Sequence, residues 1–61
     1  MTTRAAVNKA IASLGDIELV KGNGYFYFVG NSVSVDAGGV YVYGIKELTL
    51  DQWVEEAKAA Q

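Results

Sequence analysis

Apolar and tyrosine side chains alternate in the run Gly24-Tyr25-Phe26-Tyr27-Phe28-Val29, and Val40-Tyr41-Val42-Tyr43 repeats the alternation later in the chain. Side chains of a strand point to opposite faces in turn, so a sheet built from these runs has a Phe/Val face and a Tyr face. The first demands a core. The second tolerates water and suits a binding surface, because each ring is apolar with a polar tip.

Glycine pairs punctuate the segment that holds these runs. Asn23-Gly24, Gly30-Asn31 and Gly38-Gly39 each have the composition of a two-residue hairpin turn, and together they predict a meander of Ile17–Gly22, Tyr25–Val29, Ser32–Ala37 and Val40–Gly44. The first turn sets Leu19 opposite Phe28, Val20 opposite Tyr27 and Lys21 opposite Phe26. The second sets Phe28 against Val33 and Phe26 against Val35. The third sets Val35 against Val42 and Ser34 against Tyr43. All three registers sort Ile17, Leu19, Phe26, Phe28, Val33, Val35, Val40 and Val42 onto one face. Glu18, Val20, Tyr25, Tyr27, Val29, Ser34, Asp36, Tyr41 and Tyr43 fall on the other. A slip of one residue in any turn scrambles that sorting. Ser32–Ala37 is the weakest strand, since Ser, Asp and Ala are poor strand formers; read as a loop, it leaves three strands instead of four.

Helical signals flank the meander. Val7, Ala10, Ile11 and Leu14 follow the i, i+3, i+4, i+7 spacing of one apolar stripe, which predicts a helix over Thr3–Leu14 with Thr2 or Thr3 as cap and Gly15 as terminator. Thr49-Leu50-Asp51-Gln52 fits a capping box, with Leu48 and Trp53 at the staple positions that bracket a helix start. Leu50, Trp53, Val54 and Ala57 form the stripe of that second helix, and Glu55, Glu56 and Lys58 face water. The predicted class is α+β, in two layers: helix, antiparallel meander of three or four strands, helix, with both helices on the Phe/Val face.

A chain of 61 residues is one small domain, residues 1–61, and 51% hydrophobic residues supply a thin core. There is no Cys and no His. Disulfide frameworks and thiolate or imidazole metal sites are therefore excluded, and no cofactor is expected. No apolar run approaches the ~20 residues of a membrane span, and the first residues lack a signal-peptide stretch. A cytoplasmic protein without membrane contact is expected. The net charge of −2 and the dispersal of Arg4, Lys9, Lys21, Lys46 and Lys58 argue against a phosphate-backbone grip.

Few residues carry chemistry. Lys21-Gly22-Asn23-Gly24 has a lysine ahead of its glycines and a strand behind them, the reverse of a P-loop, so a hairpin turn accounts for it better. Asp16 with Glu18, and Glu55 with Glu56, lack the ligand spacing of a calcium loop and read as solvated charge. Ser13, Ser32 and Ser34 have no histidine to activate them, so an enzyme is not expected. Trp53 lies in phase with Leu50, Val54 and Ala57 and reads as core. The candidate interaction surface is Tyr25, Tyr27, Ser34, Tyr41 and Tyr43, with Tyr27 and Tyr43 flanking Ser34. Such a face anchors a protein partner or a second copy of the chain. Single-stranded nucleic acid stacked on the same rings is the alternative, disfavoured by Glu18 and Asp36 on that face. A structural, self-assembling component of a particle is a third possibility. Ordinary half-exposed strand surface explains tyrosines equally simply.

The combination G-Y-F-Y-F … V-Y-V-Y … L-T-L-x-Q-W-V-E-E, in Gly24–Phe28, Val40–Tyr43 and Leu48–Glu56, resembles a family of small proteins of unknown function encoded by tailed bacteriophages and prophages. Val7-Asn8-Lys9-Ala10-Ile11 and Glu18-Leu19-Val20-Lys21-Gly22 are similar too, so the resemblance covers most of the chain. It implies a phage origin and a compact α+β fold, and it brings no reaction and no functional residues. Relatives carry a basic residue just after the Val-Tyr-Val-Tyr run, where this chain has Gly44-Ile45, and they vary in length between the two aromatic runs.

Overall fold

A computed structural model describes residues 2–61 as a small α+β domain of two helices and a two-stranded antiparallel sheet. Helix α1 (Arg4–Ile11) starts at Thr3, whose Oγ1 accepts a hydrogen bond from the Ala6 N–H at 3.1 Å. It tightens into a single 3-10 turn over Ala12–Leu14 and stops at Gly15, whose φ of 131° suits glycine alone. Strands β1 (Glu18–Lys21) and β2 (Phe26–Val29) follow, and α2 (Leu50–Ala60) closes the chain.

The first hairpin has the register that the sequence predicts: Glu18 opposite Val29, Leu19 opposite Phe28, Val20 opposite Tyr27, Lys21 opposite Phe26. The Gly22 N–H donates to the Tyr25 carbonyl at 2.8 Å, so Asn23-Gly24 is the turn. Gly24 has a φ of 84° and Asn23 is not in positive-φ space, which is the demand of a type II turn and not of type I′. Alternation from the 22–25 bond leaves the backbone groups of Leu19 and Phe26 pointing outward, away from the opposite strand. Both find partners. Phe26 exchanges hydrogen bonds with Val40, at 2.9 and 2.7 Å. Leu19 is met by a side chain: its N–H donates to Asn8 Oδ1 at 2.6 Å, and its carbonyl accepts from Asn8 Nδ2 at 3.3 Å. Asn8 thus stands where a neighbouring strand's peptide would stand.

The third and fourth strands of the predicted meander are replaced by turns and one bridge. The pairings Phe28–Val33, Phe26–Val35, Val35–Val42 and Ser34–Tyr43 do not form, and on its outer side Phe26 is bridged by Val40 instead. Competing hydrogen bonds explain the change. The Ser32 N–H goes to the Asp16 carbonyl at 3.0 Å and the Asn31 N–H to the Asp16 carboxylate at 3.0 Å, while Ser32 Oγ accepts from the Asp16 N–H at 2.9 Å. The Ser34 N–H goes to the Ala60 carbonyl, and Ser34 Oγ accepts from the Asp36 N–H. Donors that a ladder would need are already taken, the usual effect of Ser and Asp on nearby backbone. Val35, predicted as core, is 99% exposed.

The core comprises Val7 and Ile11 of α1, Ile17, Leu19, Phe26 and Phe28 of the hairpin, and Trp53, Ala57 and Ala60 of α2. The capping box of α2 is complete: the Gln52 N–H donates to Thr49 Oγ1 at 3.2 Å, and the Thr49 N–H to Gln52 Oε1 at 2.8 Å. Trp53 is fully buried as predicted, edge-on to Phe26 with ring centroids 5.2 Å apart, and its Nε1 donates to the Ile45 carbonyl at 2.8 Å. That bond satisfies the one polar atom of the ring, which is what allows complete burial. Leu50, predicted on the buried stripe, is 37% exposed; Ala60 extends the stripe instead.

Candidate functional site

Tyr27 lies between the buried Phe26 and Phe28 and therefore projects from the opposite side of β2, beside its cross-strand partner Val20. The Tyr25 ring lies 5.6 Å from that of Tyr27, tilted by 35°. The ring of Tyr41 is 5.8 Å from Tyr25 at the same tilt. The Phe26–Val40 bridge explains the third member: in an antiparallel register Val40 opposite Phe26 sets Tyr41 opposite Tyr25. Tyr25 is thus the middle ring of three, half-buried, with Tyr41 80% exposed beside it.

Glycines make the seat for that middle ring. A Cβ on Gly22 would fall 2.6 Å from Tyr25 Cζ, and one on Gly39 would fall 3.2 Å from Tyr25 Cδ2 and 3.1 Å from the Phe26 carbonyl oxygen. The ring therefore rests against bare backbone, covering a glycine across the hairpin much as aromatic residues rescue glycines in sheets. The sequence carried a signal for this arrangement, Gly22 and Tyr25 flanking the Asn23-Gly24 turn. The part of Gly39 rests on the Val40 pairing and has no local signature.

The structure divides the five sequence-predicted surface residues. Tyr25, Tyr27 and Tyr41 come together. Tyr43 is 87% exposed, but it enters neither close ring pair; its N–H and that of Gly44 donate to the Glu47 carboxylate at the start of a single 3-10 turn, Ile45–Glu47. Ser34 is separated from the tyrosines, since its N–H is bonded at 2.7 Å to the last turn of α2. The predicted flanking of Ser34 by Tyr27 and Tyr43 fails with the third strand that it required.

Elsewhere, Lys21-Gly22-Asn23-Gly24 is the hairpin turn and no phosphate loop. Asp16 holds the backbone of Asn31 and Ser32, a structural task. No helix among the described residues is long and apolar enough to cross a membrane. No protein-family model matches the chain, and comparison with curated proteins and with solved structures finds no match either.

Proposed function

We propose that the protein is a non-enzymatic accessory protein that binds another protein through Tyr25, Tyr27 and Tyr41. The observation that carries the proposal is the ring cluster itself, with centroids 5.6 and 5.8 Å apart on the side of the hairpin away from Phe26 and Phe28. Packed tyrosines lose little side-chain entropy when a partner covers them, and their hydroxyls remain available for hydrogen bonds. The absence of His and Cys from the sequence supports a binding role over catalysis. The resemblance to small phage-encoded proteins agrees with a compact accessory role in a host cytoplasm. On this reading both helices lie on the Leu19, Phe26 and Phe28 side in a second layer, an arrangement that their shared core cluster supports, and the tyrosine side stays open. Protein is the favoured partner over nucleic acid because Glu18 shares the side of Tyr27, whereas Lys21 alternates to the other.

The test is the double substitution Tyr27→Ser and Tyr41→Ser. With a photo-reactive side chain at exposed Glu18, the wild-type sequence is expected to cross-link one bacterial protein and the variant to lose it, both retaining the same unfolding midpoint. Equal cross-linking by the folded variant would remove the tyrosines from the interface. Global unfolding of the variant would make the rings part of the core.

A further inference from the structure

A second surface lies along α2. Asp51, Gln52, Glu55 and Glu56 line a groove of about 370 Å³ whose floor is Val40 and Leu48. Asp51 with Glu55, and Gln52 with Glu56, are i, i+4 neighbours, so the four make two adjacent rows on one helical face. The Asp51–Glu55 spacing sets like charges together, an arrangement unfavourable to the helix by itself. Only Glu55 has a cation near it: Lys58 Nζ lies 3.6 Å from its carboxylate, the one ion pair among the described residues, and both side chains are well exposed. Such a pair is worth little, and it leaves the groove strongly anionic. The chain's own cations do not fill it; Arg4 and Lys21 line a different depression, with Phe26 and Ile45.

We propose that this groove docks a basic segment of a partner protein, one apolar side chain seated on Val40 and Leu48 and flanking lysines or arginines paired with Asp51, Glu55 and Glu56. Charge complementarity selects the occupant. The carboxylate rim repels nucleic acid and anionic headgroups, and the apolar floor rewards an apolar anchor that a purely charged ligand lacks. The surface is distinct from the tyrosine cluster, although the two adjoin through consecutive residues: Val40 lines the groove and Tyr41 carries the outermost ring.

The experiment uses two short synthetic peptides of equal positive charge, one of Lys and Leu and one of Lys and Ser, titrated into the protein and into the double variant Glu55→Lys, Glu56→Lys while backbone amide NMR shifts are followed. The variant keeps its fold, because both positions are exposed and the exposed Glu55–Lys58 pair that it removes is worth little; an unchanged Trp53 unfolding transition verifies this. The Lys/Leu peptide is expected to shift the amides of Val40, Leu48 and Asp51–Glu56, to bind about tenfold or more tightly than the Lys/Ser peptide, and to lose about tenfold on the variant, which is a change of about 1.4 kcal/mol. Equal binding of both peptides would reduce the effect to bulk charge and overturn the proposal, as would equal binding by the variant or shifts mapped elsewhere. A wild-type dimer in sedimentation that the variant abolishes would assign the groove to a second copy of the chain, and so overturn it too.

Discussion

Replacing Asn8 by Ala tests the most unusual contact in the fold. The substitution deletes both hydrogen bonds to Leu19, at 2.6 and 3.3 Å, and leaves the backbone N–H and C=O of a fully buried residue without partners. A hydrogen bond contributes about 1 kcal/mol net, and an orphaned buried group costs about 1–3 kcal/mol. Asn8 itself is only half-buried, so water reaches part of the vacated space and the lower end of that range applies. Two groups at that level cost about 2 kcal/mol. Alanine is the better helix former by about 0.5 kcal/mol, and position 8 is inside α1, so the net loss is about 1.5 kcal/mol. For a domain of this size that corresponds to roughly 6–12 °C in Tm. Urea unfolding followed by the fluorescence of Trp53, the only tryptophan and fully buried, reports the change directly. The midpoint is expected to fall with the slope unchanged. Lys9→Ala, on the exposed side of the same helix, gains a little propensity but gives up a cation in the last turn, so its stability is expected to stay within about 0.5 kcal/mol of the wild type. If Asn8→Ala matched Lys9→Ala, local helix effects would account for both variants and the edge of β1 would need no side-chain partner.

Two further stability comparisons separate features that the sequence alone merges. Gly30 and Gly24 both have positive φ, but a Cβ on Gly30 would fall 2.1 Å from the Asp16 carbonyl oxygen, whereas one on Gly24 meets nothing within 4 Å. Gly24→Ala is therefore expected to cost about 1 kcal/mol from backbone strain, and Gly30→Ala well above ~2 kcal/mol, since backbone must move as well; equal midpoints in urea would refute the contact. Val35→Ser should change stability by less than about 0.5 kcal/mol, because the side chain is 99% exposed, whereas a core valine in a third strand would cost about 2 kcal/mol or more.

What could be read from the sequence was what is decided locally. Thr49 and Gln52 satisfy each other within one turn, and Asn23-Gly24 fixes the β1–β2 register by itself, so both emerge from neighbouring residues. The second turn was misread because its outcome depends on Asp16 and Ala60, distant in sequence, which capture the backbone of Asn31, Ser32 and Ser34. With that segment withdrawn, Val40 reaches Phe26 directly, and Tyr41 arrives beside Tyr25 where a third strand was expected to intervene. The candidate site is accordingly half legible. Tyr25 and Tyr27 share a side by their spacing of two, Tyr41 joins them through a different pairing from the predicted one, and Ser34 belongs to the far end of α2. Asn8 gave no signal, for asparagine within a helical stripe reads as ordinary solvent-facing polarity.

The contact of Tyr25 with Gly22 and Gly39 also constrains how this sequence can diverge. A Cβ at position 22 would fall 2.6 Å from the ring and displace it, whereas one at 39 would fall 3.2 Å from the ring and 3.1 Å from the Phe26 carbonyl oxygen and needs a shift of only a few tenths of an ångström. Position 22 is therefore the one tied to the tyrosine: it gains a side chain only where the ring of residue 25 moves aside or is lost. Descendants of this gene are expected to show positions 22 and 25 covarying, with bulk at 22 appearing where 25 has become small.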